Sequence, residues 1–221
     1  MVIAGDTMIA EDLRGAAAAA GWDVREPADA EGELAMLCVD CGADPDGPPL
    51  QGAPLAILCA QGALADLDSG GSAAGFHALP GSGLVELTRG EGSSPAACAG
   101  AERFFASLGR HTAWVGDAPG LVLGRIVCQI VNESAFAVGE GVGCAADVDT
   151  GMVLGLNHPR GPLQWADAIG LDHVLAVLDA LQEHYREERY RAAPLLRRMV
   201  AEGRLGAATG AGFHDHAADC G

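Results

Sequence analysis

Three segments rich in glycine and proline divide the C-terminal part of this chain, and they constrain its fold more than any other feature. The segments are VGDAPGLVLGR at 115–125, GLNHPRGPL at 155–163 and GRLGAATGAGF at 203–213. Glycine permits backbone conformations that other residues avoid and proline fixes φ, so each segment sets the direction of the chain at a defined place. The pattern predicts helices that are joined by short turns of fixed geometry.

The apolar residues after position 119 have the three- and four-residue spacing of amphipathic helices. We predict helices at 123–131, at 147–154, at 171–181 and from Pro194 to Gly203. The first of these helices carries an apolar stripe that faces a core or a partner, consisting of Leu123, Ile126, Val127, Ile130 and Val131. Amphipathic helices joined by short loops predict an all-α bundle.

The first half of the chain alternates short apolar runs with helical stretches. The runs of strand length are 2–4, 22–25, 34–39, 54–60, 84–88 and 111–115, and the helical stretches are 10–20 and 95–108. This alternation predicts a small parallel, doubly wound sheet, with loops at 44–52 and 68–75. The predicted domains are a sheet domain at 1–116, a helical domain at 117–216 and a tail at 217–221.

The composition excludes several classes of partner. All 13 basic residues are arginine, and the formal net charge is −17 at pH 7. Nucleic acids and anionic membranes need a basic face, so we expect neither as a partner. The sequence shows no signal peptide and no apolar run long enough to span a bilayer, so we expect a soluble, cytoplasmic protein.

Seven cysteines form no regular framework. Cys38 and Cys41 make a Cys-x-x-Cys pattern next to a predicted buried strand, and no second pair accompanies it. We therefore expect reduced core thiols, with zinc binding or a redox role as the alternative.

The order and spacing of the three punctuated segments resemble the helical C-terminal domain of the 3-hydroxyacyl-CoA dehydrogenases. The short sheet domain resembles the reduced Rossmann-type domain that precedes a second such helical domain in long, duplicated members of that family. The resemblance implies an α/β plus all-α fold, with a truncated Rossmann-like parallel sheet followed by a helical bundle. It also implies oxidation of a 3-hydroxyacyl-CoA to a 3-oxoacyl-CoA with NAD, in fatty-acid or aromatic-acid degradation.

Two residues of the sheet domain match the catalytic pair of that family. GFHALP at 75–80 is followed by LVE at 84–86. By resemblance, His77 is the general base that takes the hydroxyl proton, and Glu86 is the carboxylate that orients it. The loop between them is shorter than in the family. The alternative is a histidine that caps a loop and a glutamate at a strand edge.

The resemblance also assigns cofactor and substrate positions. The turn at 4–9 aligns with the glycine-rich dinucleotide turn, so Gly5, Thr7 and Met8 are the candidate NAD-binding residues, with Glu26 as the ribose-binding acid. None of the three glycine positions of that motif holds glycine here, and Asp6 replaces one of them. The candidate substrate residues are Gly124, where the family has asparagine, and Arg125.

Two hypotheses follow for function. In the first, the chain is an NAD-dependent 3-hydroxyacyl-CoA dehydrogenase. In the second, it is a catalytically degenerate relative that serves as an acyl-CoA-binding or dimerisation partner of a complete dehydrogenase. Both predict a homodimer through the helical domain. His214 and His216 suggest a metal site, but aromatic residues usually occupy these positions in the family, so we predict no metal.

Overall fold

The computed structural model describes residues 1–29, 35–42 and 52–216. Contacts between residues divide the chain into two compact units, of which the first is Met1–Gly124 and the second begins at Arg125. We call them the sheet unit and the helical unit. The predicted domain boundary lies a few residues earlier, at 116–117, and stays a prediction.

The sheet unit is built on a six-stranded sheet whose strands lie side by side in the order in which they occur in the chain. The strands are β1 (Val2–Ala4), β2 (Cys38–Asp40), β3 (Leu55–Leu58), β4 (Ala74–Ala78), β5 (Leu84–Arg89) and β6 (His111–Trp114). Neighbouring strands are parallel, except that β4 and β5 are antiparallel. A Rossmann-like α/β sheet is therefore confirmed.

Two details of the sheet differ from the prediction. The segment 22–25 forms no strand, because only Arg25 makes an isolated parallel bridge, to Val2. Within the described residues the other strands all lie to one side of β1, and only this bridge lies at its other edge. The second difference is β4, which was not predicted because a Gly/Ser run precedes it. The predicted loop at 44–52 lies outside the described residues, apart from Gly52, as does the tail.

The helices of the sheet unit are α1 (Met8–Ala19), α2 (Leu64–Leu67) and α3 (Pro95–Ser107). The hydroxyl of Thr7 accepts the Ala10 N–H at the start of α1, and Ser94 does the same for Ala97 at the start of α3. These side chains satisfy N–H groups that have no partner within the helix. Two helical phenylalanines of α3, Phe104 and Phe105, are buried in the core.

The helical unit contains α4 (Leu123–Gly139, which begins just before the division), α5 (Ala145–Leu156), α6 (Pro162–Ile169), α7 (Leu171–Tyr185) and α8 (Pro194–Ala201). Four of these helices correspond to the predicted ones, and α6 was not predicted. Their buried apolar side chains form the core of the unit, including Val127, Val131, Leu163, Val174, Leu178 and Leu196.

Candidate functional site

The predicted catalytic pair lies on two adjacent strands. His77 on β4 and Glu86 on β5 are directly opposite each other in the antiparallel ladder. Directly opposite residues of a ladder have neighbouring side chains on one face of the sheet. Both side chains are buried, with 0% of His77 and 5% of Glu86 exposed. The sheet therefore brings together the two residues that the sequence pairs, and His77 lies within a strand.

Glu86 also holds the start of α4. Its Oε2 atom accepts the backbone N–H groups of Val122 and Leu123, at 2.9 and 2.7 Å. N–H groups at a helix start lack intrahelical partners, and the helix dipole favours a negative charge there. The carboxylate is therefore an N-terminal ligand of the helix in addition to being the neighbour of His77. This second role could not be predicted from the sequence, because the donors are backbone atoms.

The imidazole of His77 lies against Gly124. A Cβ atom at Gly124 would be 2.5 Å from Nε2 of His77 and 2.6 Å from Cε1. Such distances are far shorter than van der Waals contact, so only glycine fits beside the ring. The resemblance predicts that Gly124 stands where the family has a substrate-contacting asparagine. In this chain the backbone of Gly124 lies beside Nε2 of His77, the atom with which a general base would take the substrate proton.

The segment 115–125 is also fixed within the sheet unit. The carboxylate of Asp117 accepts the Leu64 and Ala65 N–H groups at the start of α2, at 2.7 and 3.0 Å. The Gly120 N–H donates to the Cys59 carbonyl oxygen at 2.6 Å. Asp117 thus caps helix α2, and Gly120 packs against the end of β3.

The predicted cofactor turn is closely packed. A Cβ atom at Gly5, whose φ is +99°, would lie 2.6 Å from the Gly42 nitrogen and 2.7 Å from the Cys41 carbonyl carbon. Thr7 caps α1, Met8 is half-buried, and Ile9 is buried in the core. A dinucleotide turn needs glycines so that the backbone can approach the pyrophosphate and the helix can pack on the strand. The side chains of this turn do not fit NAD.

The predicted ribose-binding acid has a partner from the protein itself. Glu26 forms an ion pair with Arg14 of α1, with Oε1 and Nε 3.0 Å apart. Asp6 is exposed at the start of the same helix, where its charge opposes an approaching phosphate. Of the predicted cofactor residues, Thr7 thus caps a helix, Gly5 packs against backbone and Glu26 forms an ion pair.

Arg125, the second predicted substrate residue, is surrounded by aromatic rings of the helical unit. Its guanidinium carbon lies 4.8 Å from the ring centroid of Tyr185 and 5.3 Å from that of Tyr190. Its nitrogens also donate to the hydroxyl oxygens of both tyrosines. Cation–π contacts and hydrogen bonds therefore hold this side chain in place. A role in substrate binding stays a prediction for Arg125 and Gly124.

Two buried carboxylates of the helical unit receive the C-terminal histidines. Asp149 accepts the Leu163 N–H at 2.8 Å, and His214 Nε2 lies 2.8 Å from its other oxygen. Asp167 accepts the Phe213 N–H at 2.8 Å, and His216 Nε2 lies 2.9 Å from it. Each histidine therefore has its own carboxylate. In the described part of the chain no three potential ligands are grouped to hold a metal ion.

The buried thiols are poor nucleophiles. Burial raises the pKa of Cys38 to about 11 and those of Cys59 and Cys128 to about 12, and it also raises the pKa of Cys41. These thiols are therefore protonated at neutral pH. The arrangement is typical of core cysteines.

A mostly parallel sheet followed by a helical bundle has counterparts among the dehydrogenases. The model of the family 3-hydroxyacyl-CoA dehydrogenase, C-terminal domain, matches residues 120–216. The (S)-3-hydroxybutyryl-CoA dehydrogenase from Ralstonia eutropha has a similar structure, with a TM-score of 0.71 and 26% sequence identity over 97% of this chain and 98% of that chain. The predicted resemblance to the 3-hydroxyacyl-CoA dehydrogenases is confirmed.

Two curated relatives define the extent of the match. The 3-hydroxybutyryl-CoA dehydrogenase of Bradyrhizobium diazoefficiens is 40% identical over 133 residues, which are 60% of this chain and 45% of the relative. The 3-hydroxyadipyl-CoA dehydrogenase of Escherichia coli K12 is 43% identical over 97 residues, which are 44% of this chain and 20% of the relative. The chain thus matches less than half the length of either relative. None of its described helices is long and apolar enough to cross a bilayer.

Proposed function

We propose that the chain serves 3-hydroxyacyl-CoA metabolism as a catalytically reduced relative of the dehydrogenases. Its helical unit would bind acyl-CoA and pair with a second copy of the chain, and hydride transfer would belong to a complete dehydrogenase. The match of residues 120–216 to the family's C-terminal domain supports the acyl-CoA class of ligand. The names of the relatives, which are 3-hydroxybutyryl-CoA and 3-hydroxyadipyl-CoA dehydrogenases, support the same class.

The observation that carries the proposal is the contact between His77 and Gly124. A general base must come within hydrogen-bonding distance of the hydroxyl proton that it removes. Here the imidazole is fully buried, and Gly124 lies against its Nε2 and Cε1 atoms. The substrate-contacting asparagine of the family would overlap the same ring. We infer that His77 and Glu86 have become part of the packing between β4, β5 and the start of α4.

The surface proposed for pairing lies on and before α5. Val142, Leu154 and Leu156 are 78%, 79% and 65% exposed, and Asp149 is the buried residue of this helix. A helix with large apolar side chains in water is typical of an interaction surface. The apolar stripe on α4 is mostly not available for pairing. Its residues Val127 and Val131 are buried, and Ile126 is exposed. We therefore assign the pairing surface to α5.

The first test measures the mass of the purified chain by light scattering, together with acetoacetyl-CoA binding by calorimetry. We expect a dimer that binds acetoacetyl-CoA. Leu154→Glu places a charge in the proposed interface and should give a monomer. Ala201→Glu adds the same charge at an exposed position of α8 and should leave the dimer intact. A monomeric wild-type chain, or one that does not bind acyl-CoA, would refute the proposal.

A second candidate function is NAD-dependent oxidation of a 3-hydroxyacyl-CoA, with His77 as the base and Glu86 as its orienting partner. One observation favours it, because the two residues are directly opposite in the β4–β5 ladder. The test follows NADH oxidation by acetoacetyl-CoA in the wild type and in His77→Ala. Turnover by the wild type that is lost in the variant would replace the first proposal with this one. We expect no turnover by either protein.

A further inference from the structure

The first turn of the sheet unit is organised around Arg14. One guanidinium nitrogen of this residue, Nη2, donates to the Gly5 carbonyl oxygen at 2.6 Å and to the Ile3 carbonyl oxygen at 3.2 Å. The same guanidinium forms the ion pair with Glu26, 3.0 Å from Nε to Oε1. The side chain of Arg14 is only 22% exposed. Arg14, on helix α1, therefore connects the end of β1 with Glu26.

In a dinucleotide-binding unit, these are the parts that the ligand connects. The pyrophosphate lies at the first βα turn and at the helix N-terminus, and the acid about twenty residues on binds the ribose hydroxyl. In this chain the guanidinium of Arg14 donates to the carbonyl oxygens of Ile3 and Gly5 and forms an ion pair with Glu26. The positive charge of Arg14 also balances the carboxylate of Glu26, which would otherwise be available to a ribose.

The other side of the turn is covered by backbone. The Cys41–Gly42 peptide lies so close to Gly5 that a Cβ atom at Gly5 would be 2.6 Å from the Gly42 nitrogen. The Cys41 N–H donates to the Ala4 carbonyl oxygen at 3.0 Å, which fixes this peptide at the end of β1. Exposed carboxylates on Asp6 and Glu11 stand at the start of α1. Packing and charge therefore both act against a phosphate at this turn.

We infer that Arg14 has taken the structural place of the dinucleotide, so that the sheet unit is complete without a nicotinamide cofactor and does not bind one. This inference deepens the proposed function, on which it rests for the idea that hydride transfer occurs in another chain. It concerns residues of the sheet unit alone. It can therefore be tested without any measurement of turnover.

The experiment measures thermal unfolding of the full chain, with and without millimolar NAD, and titrates NADH by its fluorescence. The wild type should neither bind NADH nor change its melting temperature with NAD. Arg14→Met should lower the melting temperature by about 4 to 8 °C, because charged hydrogen bonds and an ion pair are lost. The matched control is Arg103→Met, at an exposed position of α3, which should shift it by about 1 °C or less.

Three results would overturn the inference. They are NADH binding by the wild type in the millimolar range or tighter, an Arg14→Met variant that melts like the wild type, and NADH binding by Asp6→Gly. The last result would show that one carboxylate, and not the packing around Gly5, excludes the cofactor. Loss of dimerisation or of acetoacetyl-CoA binding would instead refute the proposed function and leave the role of Arg14 untouched.

Discussion

The two units of this protein use their glycines and carboxylates in different ways. In the helical unit, two buried carboxylates accept backbone N–H groups, and a glycine beside each carboxylate leaves the space that it occupies. In the sheet unit, Gly5 and Gly124 instead bring backbone close to the Cys41–Gly42 peptide and to the ring of His77. In both units these residues are therefore closely packed, but in the helical unit they hold backbone N–H groups, whereas in the sheet unit they lie beside the predicted site residues.

The helical unit illustrates the first case. Asp149 accepts the Leu163 and Gln164 N–H groups at the start of α6, and a Cβ atom at Gly161 would overlap its carboxylate. Asp167 accepts the Phe213 and His214 N–H groups, at 2.8 and 2.9 Å. A Cβ atom at the neighbouring Gly212 would overlap Asp167 in the same way. These contacts connect helices α5 and α6 with the turns that flank them.

The sheet unit illustrates the second case. Gly5 lies against the Cys41–Gly42 peptide, and Gly124 lies against the ring of His77. His77 and Glu86 are retained, but one ring edge of His77 and one oxygen of Glu86 are engaged with the start of α4. We propose that the predicted catalytic pair serves the packing of this unit.

The largest effect that would test this comparison is expected at Asp167, which is fully buried. Asp167→Ala removes the acceptor of two backbone N–H groups and the partner of His216. Breaking a buried charged network typically costs about 4 kcal/mol, so we expect a loss of that size in the free energy of unfolding. Urea denaturation measures it.

The matched control for Asp167 is Asp172→Ala, at an exposed position in the first turn of α7. It should change the free energy of unfolding by about 0.5 kcal/mol. Similar losses in the two variants would show that the buried carboxylate does not hold the C-terminal segment, and the contrast between the units would then fail.

The next effect concerns a buried histidine of the helical unit. Burial lowers the pKa of His173 on α7 from 6.5 to about 4. The unfolded chain therefore binds a proton near pH 6.5 that the folded chain binds only near pH 4. Between these values stability falls as the pH falls, by roughly 3 kcal/mol for the full shift. Urea denaturation across this pH range, compared with His173→Gln, isolates the contribution.

The wild type is the reference for this prediction, because His173→Gln should make the slope of stability against pH shallower in this range. A His173→Gln variant with the slope of the wild type would contradict the prediction, because it would show that the folded helical unit accepts the proton at an ordinary pH.

Much of the fold could be predicted because the signals are local. The apolar run 2–4 and the proline-started helix after Ser94 correspond residue for residue, or nearly so, to β1 and α3. Strand β4 could not be predicted, because its Gly-Phe-His core follows a Gly/Ser run and is stabilised by β3 and β5 on either side. Helix α6 has eight residues, too few for a periodic pattern to be recognised.

The candidate site was predictable in its residues but not in its surroundings. The resemblance predicted that His77 and Glu86 lie together, and the ladder places them opposite each other. Three further contacts depend on backbone atoms or on distant segments: Val122 and Leu123 with Glu86, Gly124 with His77, and the Cys41–Gly42 peptide with Gly5. A sequence does not display such contacts, because the partners are far apart in the chain and have no distinctive side chains.

The smallest of the expected effects tests the contact between Gly124 and His77 directly. Gly124→Ala should reduce the free energy of unfolding by about 2 kcal/mol, because the added Cβ overlaps the buried ring. Gly116→Ala lies in the same segment with open space around its Cβ position, and it should be neutral or slightly stabilising. In His77→Ala the ring is absent, so adding Gly124→Ala should then cost almost nothing. A coupling of about 1 to 2 kcal/mol in this double-mutant cycle would show that His77 belongs to the packing of the sheet unit. Additive effects would contradict this and would mean that the ring can move away from Gly124.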